Sequence, residues 1–222
     1  MEALTESFFN LDIMRQAWPF LWRGFLMTLM LCAIVIPIGL AGGLAVALLS
    51  GSRSRLIRWL VIGYVDLFRA LPPLVLLIFV YAGLPFTGVD LQPITAVCIA
   101  FLLNTSSYFG EIFRAGIESI GRGQMEAARS TGLGRTQAMT YVILPQAIRN
   151  VAPDLLSNIL EVAKLTSIAS VVAFQELLYS ADMARSITYN ATPIVMAAGF
   201  YLALLWPLVR LLSLAERRLA AH

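Results

Sequence analysis

The chain has 222 residues, of which 59% are apolar and only 13% charged, about half the charged share of a soluble domain. That balance places it in the membrane class and sets a soluble globular fold aside. The net charge of +3 is segregated by loop and not gathered on one face, so it leaves no footprint for nucleic acid.

The first 23 residues set Glu2, Glu6 and Asp12 against Arg15 and Arg23, the reverse of a positive n-region. The apolar run that follows is too long for an h-region, so the first span is expected to stay in the mature protein. A spanning helix needs about 20 mainly apolar residues. Five segments qualify, at roughly 24–49, 57–82, 92–113, 153–175 and 192–214. Pro37, the Pro72-Pro73 pair and Pro207 fall inside or near the ends of these segments. Neighbouring helices can re-satisfy the backbone groups that proline frees, so kinks are expected and not breaks. Cys32 and Cys98 each sit within an apolar run and read as buried neutral thiols. No low-complexity tract or internal repeat stands out.

Orientation follows from arginine. Arg53, Arg55 and Arg58 lie between spans one and two, and Arg114, Arg122, Arg129, Arg135 and Arg149 between spans three and four. Arg210, Arg217 and Arg218 lie towards the C-terminus, whereas the other side has Arg15, Arg23 and Arg185. The positive-inside rule makes the Arg-rich side cytoplasmic, with the N-terminus outside and the C-terminus inside.

Within the connection of about 114–150, residues 121–150 form a polar insert. Gln124 to Arg129 favours a helix, Gly132 and Gly134 a short turn, and Thr136 to Ile143 a second helix that Pro145 should stop. Gly132 is where a bend with positive φ is cheapest. Ala138, Met139, Val142 and Ile143 recur at helical spacing as one apolar stripe. Such a hairpin either rests on the headgroups or serves as a docking knob whose stripe enters a partner's groove.

Glu126-Ala127-Ala128, then Gly132, then Val142 two residues before Leu144-Pro145, resembles the EAA loop of ABC importer permeases. Phe68-Arg69-Ala70-Leu71-Pro72, Glu111 to Ile117 and Lys164-Leu165-Thr166-Ser167 resemble that family's polar-amino-acid branch, the histidine, glutamine and glutamate type. That branch often has an acidic residue after the lysine, where this chain has Leu165. The resemblance covers about residues 20–215. It implies an all-α integral membrane protein of the type I importer kind, a single transmembrane domain that forms half of a translocation pore. It also implies a cytoplasmic ABC ATPase dimer bound at Glu126, Ala127, Ala128, Gly132, Leu144 and Pro145, and a second permease subunit, identical or paralogous. A periplasmic or extracellular solute-binding protein would deliver a polar amino acid. The resemblance further implies a bacterial inner membrane, crossed several times. ATP and Mg belong to the partner: no Gly-x-x-x-x-Gly-Lys-Ser/Thr loop occurs here, and Gly132-Leu133-Gly134-Arg135 lacks its spacing and lysine.

Polar residues inside the spans are the other candidates. Glu161 and Lys164, the latter the only lysine, are spaced to pair on one face of span four. Left unpaired at the bilayer centre, each would cost about 2.5–3.5 kcal/mol. On one helix, Asp154, Ser157, Glu161, Lys164 and Gln175 fall in a sector about 80° wide. The pair is either structural glue or part of a solute path, where an acceptor and a donor suit a zwitterion. Asn104, Ser107, Tyr108 and Glu111 make a second stripe in span three. Asn104 and Tyr108, with Ser157, Glu161, Lys164 and Ser167, are the candidate path residues. Glu111 is expected to pair with an arginine, and Asp66 with Arg69. Ser106 and Ser107 suit close helix packing, and Thr166 packing or a back-bond. His222 is given no role.

The alternative function is an ion-coupled secondary transporter of small polar solutes, which usually shows paired repeats. An intramembrane enzyme would need a nucleophile–base pair or metal ligands in a span; neither catalytic nor metal-binding residues are assigned.

Overall fold

The structure is a computed structural model that describes the backbone of residues 6–220 and the side chains of residues 6–214. Glu2, His222 and the side chains of Arg217 and Arg218, which enter the sequence reading, lie outside the described residues. Those residues form helices and turns, with no strand among them. In chain order the helices are α1 Leu11–Ser50, α2 Arg55–Ala70, α3 Pro73–Ile78, α4 Pro93–Glu118, α5 Arg122–Ser130, α6 Arg135–Ala138, α7 Leu144–Asn150, α8 Ala152–Leu165, α9 Leu177–Thr188 and α10 Thr192–Ala220. Four long apolar helices qualify as spans: Glu6–Ser50, Pro93–Glu118, Ala152–Val172 and Thr192–Leu214. A fifth is counted when α2 and Pro73–Thr87 are taken together as one broken span.

Several expectations change. The first span begins well before residue 24: α1 has 40 residues, about 60 Å of helix against a hydrocarbon core of about 30 Å. Pro37 and Pro207 leave α1 and α10 unbroken, as expected. Pro72-Pro73 gives a break and not a kink. Leu71 is extended, with ψ 128°, as the ring of a following proline demands, and Pro73 starts α3 afresh. Span four does not run as one α-helix to 175. After α8 the chain tightens into a 3₁₀ segment, Thr166–Val172, that ends on Ala173 at φ +56°. A further helix, α9, follows that the hydropathy pattern did not predict.

The chain divides into two compact units. The first comprises residues 1–36, 72–101 and 160–222. Its core joins Ala17 and Leu21 of α1 to Leu177, Ala181 and Ala184 of α9 and Ala197 of α10. Gly24 makes the close α1–α9 approach possible, because an added Cβ would overlap the Ser180 side chain and lie 2.9 Å from the Glu176 carbonyl oxygen. Thr28 secures the same contact, its Oγ1 accepting from the Leu177 backbone N–H at 3.1 Å. Trp18, Trp22, Phe25 and Phe200 cluster beside it, with Trp18 and Phe200 centroids 5.2 Å apart. Thr166 is fully buried, and its Oγ1 back-bonds to the Ala163 carbonyl at 2.7 Å.

The second unit comprises residues 37–71 and 102–159. Here α1 meets α4 through small residues, as membrane helices without a hydrophobic drive tend to do. An added Cβ at Gly43 would overlap the Phe109 side chain, and one at Gly42 would lie 2.9 Å from Ser106 Cβ. At the far end of α4, a Cβ on Gly116 would come within 2.9 Å of the Ala147 carbonyl oxygen of α7. Ser106 also receives α2, its Oγ lying 2.6 Å from the Tyr64 hydroxyl.

Candidate functional site

The polar insert folds as an α5–turn–α6 hairpin in the second unit. α5 ends where Thr131 and Gly132 bond back to the Ala127 and Arg129 carbonyls at 3.3 and 3.1 Å. Gly132 then takes φ +91° in open space, the left-handed turn its sequence position predicts. The Gln137 Oε1 accepts from the Gly134 N–H at 2.9 Å and starts the next helix. Pro145 does not stop that helix. A π-helical segment, Met139–Ile143, carries the chain into α7, with Pro145 in its first turn, where a missing N–H goes unnoticed.

The apolar stripe does not await a partner. Ala138 and Ile143 are buried within this chain, and Met139 and Val142 are half-buried. What faces outward is the rest: Glu126, Ala127, Gly132 and Pro145 are exposed, Leu144 is half-buried and Ala128 is buried. The hairpin is therefore rooted in its own unit by its apolar side, with the turn around Gly132 exposed.

The stripe on α4 is turned inward and fully bonded. In a continuous helix, residues 72 and 73 would donate to the carbonyls of Phe68 and Arg69, but both are proline and have no N–H. Asn104 Nδ2 donates to the Phe68 carbonyl at 3.2 Å, and the Tyr108 hydroxyl to that of Arg69 at a long 3.4 Å. Asn104 is 4% exposed. Ser107, also buried, bonds to the Asn104 carbonyl at 2.6 Å. Glu111 pairs with an arginine as expected: Arg114 forks onto it through Nε and Nη2 at 2.9 and 2.8 Å, its Nη1 also donating to Glu118, and Arg69 lies 3.6 Å away. Arg69 also stacks over the Tyr108 ring at 5.4 Å. The expected Asp66–Arg69 pair does not form among the described residues, because Arg69 is drawn to Glu111.

The stripe on α8 is turned outward. Lys164 Nζ donates to Glu161 Oε1 at 2.6 Å, with the two side chains 50% and 64% exposed. Asp154 and Ser157 of the same helix are exposed as well. Ser167, half-buried, back-bonds to the Lys164 carbonyl at 2.9 Å. Gln175 leaves this sector, because the 3₁₀ segment ends the helical phase that placed it there.

Sequence reasoning missed Glu176, the only fully buried carboxylate among the described residues. It caps α9, accepting from the Leu178 and Tyr179 backbone N–H groups at 2.8 and 2.7 Å and from the Tyr201 hydroxyl at 2.9 Å. Burial pushes its carboxyl above the ordinary range, outweighing these bonds. An acidic residue just before a helix-forming run was the available signal.

A model of the family described as binding-protein-dependent transport system inner membrane component matches residues 43–221. The chain is 37% identical over 211 residues to a probable glutamine ABC transporter permease protein, GlnM, of Bacillus subtilis (strain 168), covering 95% of this chain and 98% of that protein. It is 32% identical to the arginine transport system permease protein ArtQ of the same organism, over 92% of this chain and 94% of that one. A solved amino acid ABC transporter, crystallised with histidines, matches with a TM-score of 0.83 at 38% identity, covering 92% and 96% of the two chains. The MetNI methionine ABC transporter in an inward-facing conformation matches at a TM-score of 0.74 and 20% identity, over 91% and 95%, and bears on the fold alone.

Proposed function

The chain belongs to the family of binding-protein-dependent transport system inner membrane components, and from that premise we propose that it is the pore-forming permease of an ATP-driven importer for polar amino acids. The observation that carries the proposal is the hairpin: an exposed turn around Gly132, on helices whose apolar side is locked into the second unit. A cytoplasmic ATPase dimer grips that turn through Glu126, Ala127 and Gly132. Because Gly116 lets α4 lie directly against α7, a displacement of the hairpin moves the cytoplasmic end of α4 with it. Nucleotide binding and hydrolysis, with Mg, take place in the partner; this chain converts their motion into alternating access. A second permease completes the pore, and a solute-binding protein supplies it from outside the cell. The N-terminus lies on that side and the C-terminus in the cytoplasm of a bacterium.

The exposed Glu161–Lys164 pair, with Ser157 and Ser167, contributes an acceptor and a donor to the path, a pairing that matches a zwitterionic amino acid. Within the second unit, Asn104 and Tyr108 hold the broken end of α2. Vesicles containing the permease and its ATPase test the reading. Glutamine or arginine uptake should require both the ATPase and ATP on the hairpin side. Uptake driven by an ion gradient alone would replace the reading with a secondary transporter. Gly132→Val, which forces a β-branched residue to φ +91°, should sharply reduce co-purification of the ATPase while leaving membrane insertion intact.

A further inference from the structure

A cavity of about 980 Å³ opens in the second unit among the α1–α2 turn, α2, the end of α4 and α6. Arg53, Arg58, Arg114 and Arg135 line it. Arg114 is neutralised by Glu111 and Glu118, but Arg53, Arg58 and Arg135 form no ion pair among the described residues. Asp66, the remaining unpaired acid of the lining, lies eight residues beyond Arg58, about 12 Å further along α2. Thr136 and Thr140 add hydroxyls, and Val61, Ile62 and Met139 form an apolar wall. At Ile62, 48% exposed, the cavity meets the open apolar side of α2, where Leu56, Trp59 and Leu60 are each at least 65% exposed. One end of the site is thus cationic with hydroxyl donors and the other is apolar and open sideways.

We propose that this cavity binds the headgroup of an anionic phospholipid, with Arg53, Arg58 and Arg135 on the phosphate and an acyl chain laid along Ile62 and Trp59. Charge complementarity selects the ligand: Arg53, Arg58 and Arg135 line one cavity, none of them in an ion pair among the described residues, against Asp66 as its one unpaired acid, and guanidinium is a fitting partner for phosphate oxygens. A zwitterionic headgroup would bring its own cation into the same cluster. The lipid would tie α6, and hence the hairpin, to the α1–α2 turn, so membrane composition would bear on coupling.

The full chain, purified in phosphatidylcholine nanodiscs containing a minor share of phosphatidylglycerol, provides the test, with lipid retention read by native mass spectrometry. Wild type should retain phosphatidylglycerol, and R53Q/R58Q/R135Q should bind it about tenfold more weakly. R55Q/R122Q/R149Q removes the same charge from outside the cavity and should retain it; R58Q alone should give an intermediate loss should the triple variant fail to fold. Equal loss in both triple variants would reduce the effect to general surface charge and overturn the site. So would full displacement by soluble glycerol phosphate, which would show a phosphate site without a lipid. Unchanged retention in R53Q/R58Q/R135Q with lost ATPase binding would assign the cavity to the protein partner instead.

Discussion

The polar stripes of α4 and α8 are made of the same kinds of residue and are used in opposite ways. On α4, Asn104, Ser107 and Glu111 each meet a partner inside the second unit: a carbonyl that the two prolines leave free, a carbonyl of the same helix, and two arginines. On α8, the Glu161 and Lys164 side chains pair with each other, meet no further partner among the described residues and stay exposed. A polar group in a membrane helix is affordable when the fold itself satisfies it. Where the fold leaves it open, water, solute or another subunit must do so. Exposure, more than polarity, separates a scaffold residue from a candidate path residue.

The strongest way to break this contrast lies on the α4 side, where everything depends on close approach. Gly43→Val should destabilise by about 3 kcal/mol or more, because the new side chain overlaps Phe109 and its Cβ sits 2.9 Å from the Gly110 nitrogen. Thermal unfolding in detergent measures it, and an unchanged midpoint would mean that α1 and α4 do not pack in this register. Asn104→Leu comes next. It strands the partly buried Phe68 carbonyl at a cost of about 1 kcal/mol. Scaffold duty predicts lower thermal stability; a solute contact predicts intact stability with a raised KM for uptake.

Glu176 offers a buried polar group in the other unit, and its signature is pH. Because its carboxyl titrates above the ordinary value in the folded chain, the folded state holds the proton more tightly than the unfolded one. Stability is then complete below the unfolded value, near 4.3, and falls as pH rises through the raised one. Glu176→Gln should flatten that slope while losing some acceptor capacity at the α9 cap. A slope that survives the substitution would place its origin elsewhere.

The legible parts of the chain are those decided locally. Gly132 announced its positive φ because the residues on either side already formed a helix–turn–helix pattern, and the membrane class followed from apolar length. The break at Pro72-Pro73 was not legible, since a proline pair kinks or breaks a helix according to what can cap the freed carbonyls. Those caps, Asn104 and Tyr108, lie 36 and 39 residues from the carbonyls they hold. α9 escaped notice because Ser180, Asp182, Arg185 and Ser186 read as a polar connection, while its buried side is made of small residues, Ala181 and Ala184. The stripe at Ala138 and Ile143 was correctly periodic, but periodicity does not say whether the burying surface belongs to the same chain.

The smallest stability effect is expected where function is placed. An exposed ion pair contributes about 0–1 kcal/mol, so Glu161→Gln and Lys164→Met should each leave the unfolding midpoint nearly unchanged. If the pair lines the path, the two substitutions should act on different ends of a zwitterionic solute. Glu161→Gln would weaken recognition of the ammonium group, and Lys164→Met that of the carboxylate. Uptake competition with amino acid amides and N-acetylated amino acids reads the two ends separately: Lys164→Met should narrow the preference for a free carboxylate, and Glu161→Gln that for a free amine. The double substitution should then lose both preferences. A double variant that keeps both, or that loses several degrees of melting temperature, would return Glu161 and Lys164 to the same structural class as the α4 stripe.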